Sequence, residues 1–331
     1  MRRCFAPLLV IVVLGAALGA PSSTATALDD LRWAYYVPDD PRSYRSLRAA
    51  HRYLDVVAPD AWRIQPNGSI RTRIQPDVIA EMRAWGLSVI PMVQKYRWSD
   101  KMHGFFASPA ARSRAASTLA AIVIGENFDG IHIDIEHIEG RDGPALEAFV
   151  ADLGARLRVA GKLVTIALPA RTAGQSWHPA FDYARLGVQV DLAVVMAYDH
   201  GYAAGRPAPV APLAWVRDVA AYTASQIPRD KVLLGIPWYG YDWNVSTRRL
   251  ASYVSFYDGA FRSGRHTYDE GAHAASVYYV ANGQHHYVWY ENARSVGEKQ
   301  RIASEQALRG WAAWRLGYED PAVWAQLERR R

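Results

Sequence analysis

Phe128-Asp129-Gly130-Ile131-His132-Ile133-Asp134-Ile135-Glu136 is the stretch on which the fold and most of the chemistry turn. Side chains alternate across an extended strand, so His132, Asp134 and Glu136 share one face and the three isoleucines the other. In a closed barrel the isoleucines pack under the surrounding helices and the polar row points inward. Buried acids are costly unless they are partnered or used. Glu136 ends the run, at the C-terminal mouth where the active sites of such barrels lie. A neighbouring Asp134 carboxylate and partial burial both raise the pKa of Glu136, as a general acid requires.

Two other readings of these residues stay open at this point. One is a structural polar cluster satisfied by its neighbours. The other is a metal site, since His132, Asp134 and Glu136 are all ligand types. Metal-dependent barrel hydrolases usually add His-x-His pairs at strand ends, and this chain has none there. The adjacent His285 and His286 fall in a separate segment, so no metal is expected.

Outward from this strand, short apolar runs alternate with amphipathic ones. Strands are expected at Trp33–Val37, from Val56, and at Leu87–Val93, Leu163–Leu168, Asp191–Tyr198, Val232–Trp238 and Gly310–Leu316. Helices are expected at Pro41–Leu54, Pro76–Trp85, Ser108–Ile124 and Leu213–Ile227, with another opened by Asp142-Gly143-Pro144. In that last helix Leu146, Phe149, Val150, Leu153 and Leu157 recur at helical spacing. Continuously apolar strands point to a buried parallel sheet. The expectation is an α/β fold, a (β/α)8 TIM barrel filling residues 28–331 as one domain. A doubly wound sheet is the alternative. A small insertion, about residues 244–294, is expected between strands 7 and 8. Its hairpin turns at Asn282-Gly283, a pair suited to a type I′ turn. A capping box at Ser295 and Glu298 opens the following helix.

Residues 1–27 read as a secretory signal: Arg2 and Arg3, an apolar run from Phe5 to Ala20, and the small residues Ala25-Thr26-Ala27. The run is short for a membrane span, which needs about 20 apolar residues, and a retained anchor is the alternative. The single cysteine, Cys4, lies in this segment, so a mature chain would have no disulfide. The net charge of +6 falls by the two arginines on cleavage. That mild positive balance suits adsorption to an anionic wall polymer and equally a solvated surface. The expected location is extracellular or cell-wall associated, with no nucleic-acid partner, no membrane span in the mature chain and a monomeric state.

Asp129, His132, Asp134 and Glu136 occupy the spacing D-x-x-D-x-D-x-E, which resembles the signature of glycoside hydrolase family 18. Met196-Ala-Tyr198-Asp199 resembles the family's M-x-Y-D. Gly235-Ile-Pro-Trp-Tyr239-Gly-Tyr241-Asp-Trp243 resembles its seventh-strand segment, and Gly310-Trp-Ala-Ala-Trp314-Arg-Leu-Gly317 its eighth strand. The likeness spans essentially the whole mature chain and is nearest the branch of spore-cortex and cell-wall glucosaminidases. It implies a retaining, substrate-assisted mechanism with Glu136, Asp134 and Tyr198 as catalytic residues. Asp199, Trp314, Tyr239, Trp243 and Met196 would bind the sugar, Trp314 as the apolar floor, with Asp129 and His132 in support. No organic cofactor is implied.

Position 132 departs from the pattern, which has Asp there. His132 is expected to pair with Asp134 as a cation, lowering the pKa of Asp134. Trp98, Trp177 and Trp243 are candidate cleft liners. Two functions compete: hydrolysis of β-1,4-linked N-acetylglucosamine polymers, in chitin, peptidoglycan or related glycans, and glycan binding without catalysis on the same barrel. Lectins of this kind usually lack the terminal acid, and Glu136 is present.

Overall fold

The structure, a computed structural model, describes residues 30–95, 102–247 and 250–329. The proposed signal segment and Trp98 lie outside them. Eight strands form the frame: β1 Leu31–Tyr36, β2 Val56–Ile64, β3 Met92–Lys95, β4 Gly130–Asp134, β5 Leu163–Pro169, β6 Leu192–Met196, β7 Val232–Pro237 and β8 Gly310–Trp314. Each pairs in parallel with the next, and β8 pairs back to β1. The circle closes, so this is a (β/α)8 barrel and not a doubly wound sheet.

Alternation along each strand divides two cores. Ile131, Ile133 and Ile135 pack outward among Leu146, Phe149, Val150, Leu153 and Leu157 of helix Gly143–Arg158. Each such fully buried side chain contributes about 1.5–3 kcal/mol over leaving it in water. Trp33, Tyr35, Met92, Val194, Leu233 and Ala312 fill the interior. His132 and Thr165 are buried polar residues on the inward faces of β4 and β5.

The end of the barrel opposite the mouth is fastened in a repeating way. Asp55, Asp129 and Asp191 each stand immediately before a strand. Their carboxylates accept the N–H of Arg32 (2.9 Å), Val89 (2.7 Å) and Val164 (2.7 Å) respectively. Each also donates its own N–H to the carbonyl of that same residue, so the pairs are doubly bonded. Before β8 the equivalent backbone bond runs from Arg309 to Val232, at 2.9 Å.

The insertion begins earlier than expected and holds more strands than the one hairpin. It is a five-stranded antiparallel sheet that begins at Tyr239–Asn244, straight out of β7, and ends with Gln284–Tyr290. The Tyr239-to-Trp243 segment therefore belongs to this sheet and not to the barrel. Asn282 and Gly283 both have positive φ, 50° and 70°, as the expected turn requires. The next helix starts at Ala293, capped by Asn292 in a box with Ser295. This corrects the Ser295–Glu298 box. Glu298 is drawn away because it accepts the Tyr268 hydroxyl at 2.7 Å and pairs with His273 at 2.8 Å. Among the described residues no helix is long and apolar enough to cross a membrane.

Candidate active site

β4 delivers Asp134 at its last position and Glu136 two residues beyond, where the chain leaves the ladder. Asp134 is buried and Glu136 half-buried. Gln94 Nε2, from β3, donates to Asp134 Oδ2 at 2.6 Å. The other oxygen, Oδ1, is buried with no hydrogen-bond partner among the described residues. Burial pushes the Asp134 carboxyl up to about 6; Gln94 pulls against this and Asp60 adds to it. Glu136 is held well above the ordinary carboxylate range, first by burial, then by the charges of Asp134 and Asp199. Burial and the mutual repulsion of the two carboxyls thus favour a retained proton on the pair.

That cleft, about 420 Å³, lies over the β4, β5 and β6 ends. Glu136, Met196, Tyr198, Asp199 and Trp177 are among its walls. Asp199 accepts the hydroxyls of Tyr239 (2.5 Å) and Tyr241 (3.0 Å) on one carboxylate oxygen. Both tyrosines come from the first strand of the insertion, so this sheet reaches the site by setting Asp199. Tyr239 is buried and acts behind Asp199. Trp314 stands at the end of β8 with its ring edge-on to Tyr35, centroids 5.2 Å apart. It is partly buried beside Tyr198 and Tyr239. Trp177 is 51% exposed, while its Nε1 donates to the Ala170 carbonyl at 3.0 Å and Arg171 ties down the Trp177 and His178 carbonyls. Its indole is anchored by the edge and open on its surface.

Two expectations, on Trp243 and on His132, need correction. Trp243 is not a cleft liner: it is 3% exposed, packed with Ala274 and Trp289 inside the insertion sheet. Asp129, expected only in support, stands at the far end of β4, where it fastens Val89. His132 does not form an ion pair with Asp134. Its ring nitrogens face neutral groups, Tyr35 Oη at 3.0 Å and Thr165 Oγ1 at 2.8 Å. Burial depresses its pKa to about 3, and the Asp134 pKa is raised and not lowered.

Sequence reading missed Gln94, Lys95, Tyr35 and Thr165. It also missed Asp60, which is buried and bound by Arg63 Nη2 (2.6 Å) and Arg73 Nη1 (2.8 Å). A signal was present: Gln94-Lys95 closes an apolar strand with polar residues at the end where barrel sites form. Among the described residues no group of three His, Cys, Asp or Glu side chains is placed to hold a metal.

Fold and sequence family together define a barrel glycosidase. The chain belongs to the glycosyl hydrolases of family 18, whose family model matches residues 77–319. It is 28% identical over 298 residues to the putative sporulation-specific glycosylase YdhD of Bacillus subtilis (strain 168), covering 86% of this chain and 71% of that protein. Among solved structures, the chitinase from Chromobacterium violaceum ATCC 12472 superposes with a TM-score of 0.81 at 28% identity, over 89% of this chain and 97% of that one. The spore cortex-lytic enzyme SleL of Bacillus megaterium QM B1551 gives a TM-score of 0.80 at 25% identity, over 90% of this chain and 73% of that one.

Proposed function

We propose that this glycosidase is exported and cleaves β-1,4-linked N-acetylglucosamine polymers of the cell wall or of chitin, with retention of configuration and with the substrate's own acetamide as nucleophile. The observation that carries the reading is the buried Oδ1 of Asp134, without a hydrogen-bond partner among the described residues, on the same strand as Glu136, whose acid form burial favours. A buried carboxylate oxygen without a donor is costly, and an acetamido N–H is the donor this place suits. Family membership and the resemblance to wall-acting and chitin-acting proteins support the substrate class.

In this scheme Glu136 gives its proton to the glycosidic oxygen as the bond to the anomeric carbon breaks. The acetamido carbonyl oxygen bonds to that carbon, forming an oxazolinium. Asp134 Oδ1 accepts the acetamido N–H, orienting the group and balancing its developing positive charge. Tyr198, at the same wall, donates its hydroxyl to the acetamide, and Trp314 offers an apolar ring to the sugar's C–H face. Glu136, now a carboxylate, takes a proton from water, whose oxygen attacks the anomeric carbon and reopens the ring.

The test is hydrolysis of chitooligosaccharides and purified peptidoglycan by the chain and by Glu136→Gln, with products identified by mass and the first anomer by NMR. Turnover lost in the variant, with the β-anomer formed first, supports the reading. Initial α-anomer, or equal turnover by the variant, overturns it.

A further inference from the structure

The helix that follows β1, α1 Pro41–Ala50, starts at the mouth of the barrel and returns along its outer wall with a basic face toward solvent. We infer that Arg42, Arg45, Arg48 and Arg52 form a docking strip for a phosphate-bearing polymer of the cell wall, which holds the enzyme with its cleft beside the wall. The wall as the source of the polymer rests on the export reading above; the strip itself does not.

At 3.6 residues per turn, positions 42, 45, 48 and 52 fall within about a third of the helix circumference. They lie opposite Ser43, Leu47 and Ala50, which are buried. All four arginines are exposed, Arg52 on the short turn His51–Tyr53 that prolongs the helix. At 1.5 Å per residue the strip is about 15 Å long, with a charge about every 5 Å. Arg42 pairs with Asp40 at 2.9 Å and donates to the Tyr318 hydroxyl at 2.8 Å. Arg48 lies over the Tyr44 ring, 5.8 Å from its centroid. Arg45 and Arg52 have no hydrogen-bond or ion-pair partner among the described residues. The acids alongside are engaged elsewhere. Asp40 also takes Arg315 at 2.8 Å, Glu81 accepts the Tyr44 hydroxyl at 3.0 Å, and the buried Glu319 accepts the Ser46 hydroxyl.

A cavity of about 320 Å³ adjoins the first two arginines, with Arg42, Arg45, Ser46, Gly317 and Tyr257 among its walls. Gly317 belongs to the loop that leaves β8 after Trp314, so the strip ends in a recess at the rim of the mouth. Guanidinium forks bind phosphate through paired N–H bonds. Phosphodiesters joined through short polyols carry one anion per repeat, a spacing close to that of arginines about one helical turn apart. Peptide carboxylates on a wall glycan stand a disaccharide or more apart and meet fewer of them. A lipid surface fits less well. Besides the arginines the exposed residues of α1 are Pro41 and Ala49, with no large apolar side chain to enter the acyl region.

The test compares the parent with Arg45→Glu/Arg52→Glu and with Arg265→Glu/Arg301→Glu, which removes the same charge from exposed positions elsewhere. The probes are long-chain inorganic polyphosphate, cell walls with and without their phosphate polymer, and phosphatidylglycerol vesicles. For polyphosphate, Kd should rise at least about tenfold in the strip variant and stay within about twofold in the other. In the parent, log Kd should climb with log salt at a slope of about 2–3, as for three or four phosphate contacts to a single strand. The parent should sediment with intact walls and not with stripped ones. Equal losses in the two double variants would reduce the effect to net charge and overturn the inference. So would absence of polyphosphate binding, or equal retention by stripped walls or by the vesicles. Neither pair of arginines belongs to the active site, so hydrolysis of a short soluble oligosaccharide should be the same in all three proteins. Its loss in the strip variant alone overturns a docking role. A parent inactive on every glycan sinks the function proposed above and leaves the binding results to decide the strip.

Discussion

Gln94 holds one oxygen of Asp134 at 2.6 Å, while the other is buried with no hydrogen-bond partner among the described residues. The amide stabilises the ionised carboxylate, so its removal raises the Asp134 pKa further above about 6. Activity that needs Asp134 ionised and Glu136 protonated falls on the acid side as Asp134 gains its proton. Gln94→Ala should therefore move the acid limb of kcat/KM to higher pH by about half a unit to one unit. An acid limb that stays put would show that this carboxylate does not govern the limb.

Glu136→Gln keeps the shape of the side chain and removes its acidity. Turnover should drop by about three orders of magnitude or more, a loss in the range attributed to general acid–base catalysis and above. The variant's melting temperature should equal or exceed the parent's, because a desolvated titrating group has been replaced by a neutral one. A parallel loss of stability would mean that the missing activity reports unfolding.

Trp177 is fixed at its indole edge and open on its face, the arrangement of a sugar platform. Trp177→Ala should raise KM about five- to twentyfold on long oligosaccharides and far less on the shortest cleaved substrate. Equal effects at every chain length would assign Trp177 to the loop's own packing.

His132 affects stability with a definite sign. Its folded pKa, about 3, lies below the ordinary 6.5. Between those values the unfolded chain binds a proton that the folded chain refuses, so stability falls as pH drops through that window and is fully regained above it. Asp134 and Glu136, with raised pKa values, act in the opposite direction. Chemical denaturation of the parent and of His132→Gln from pH 7 to 4 separates the two, since the acids are common to both. The parent should lose stability faster on acidification; parallel curves would mean the ring is not held neutral.

Asp191 bonds the Val164 N–H from the end of the barrel away from the cleft. Asp191→Ala should cost about 1–2 kcal/mol of stability, the upper range being discounted for partial exposure, and leave kcat and KM unchanged in the folded fraction. Altered kinetic constants would connect the two ends of the barrel in a way these bonds do not.

The eight strands, the inward row of β4 and the cleft position of Tyr198 and Asp199 were legible because period and motif act locally. Trp243 was misplaced for a different reason. A tryptophan two residues past a tyrosine reads the same in a barrel strand and in an added sheet, and only the pairing of Trp243 with Tyr287 separates them. The partners of His132 were out of reach as well. Tyr35 and Thr165 are 97 and 33 residues away in the chain, brought together by barrel closure. Without them a histidine between acids reads as a cation. Enclosed by a phenol and an alcohol, it is neutral.

The aspartate that fastens Val89 has a consequence for the acids at the other end of its strand. Slipping β4 by one residue would turn His132, Asp134 and Glu136 toward the helices and present isoleucines to the substrate. Asp129 grips its neighbour by both carboxylate and backbone, so it serves as the datum edge from which the catalytic side chains are measured. It never meets the sugar, yet whoever transplants this site into another barrel must carry the strand across from Asp129 to Glu136 as one piece.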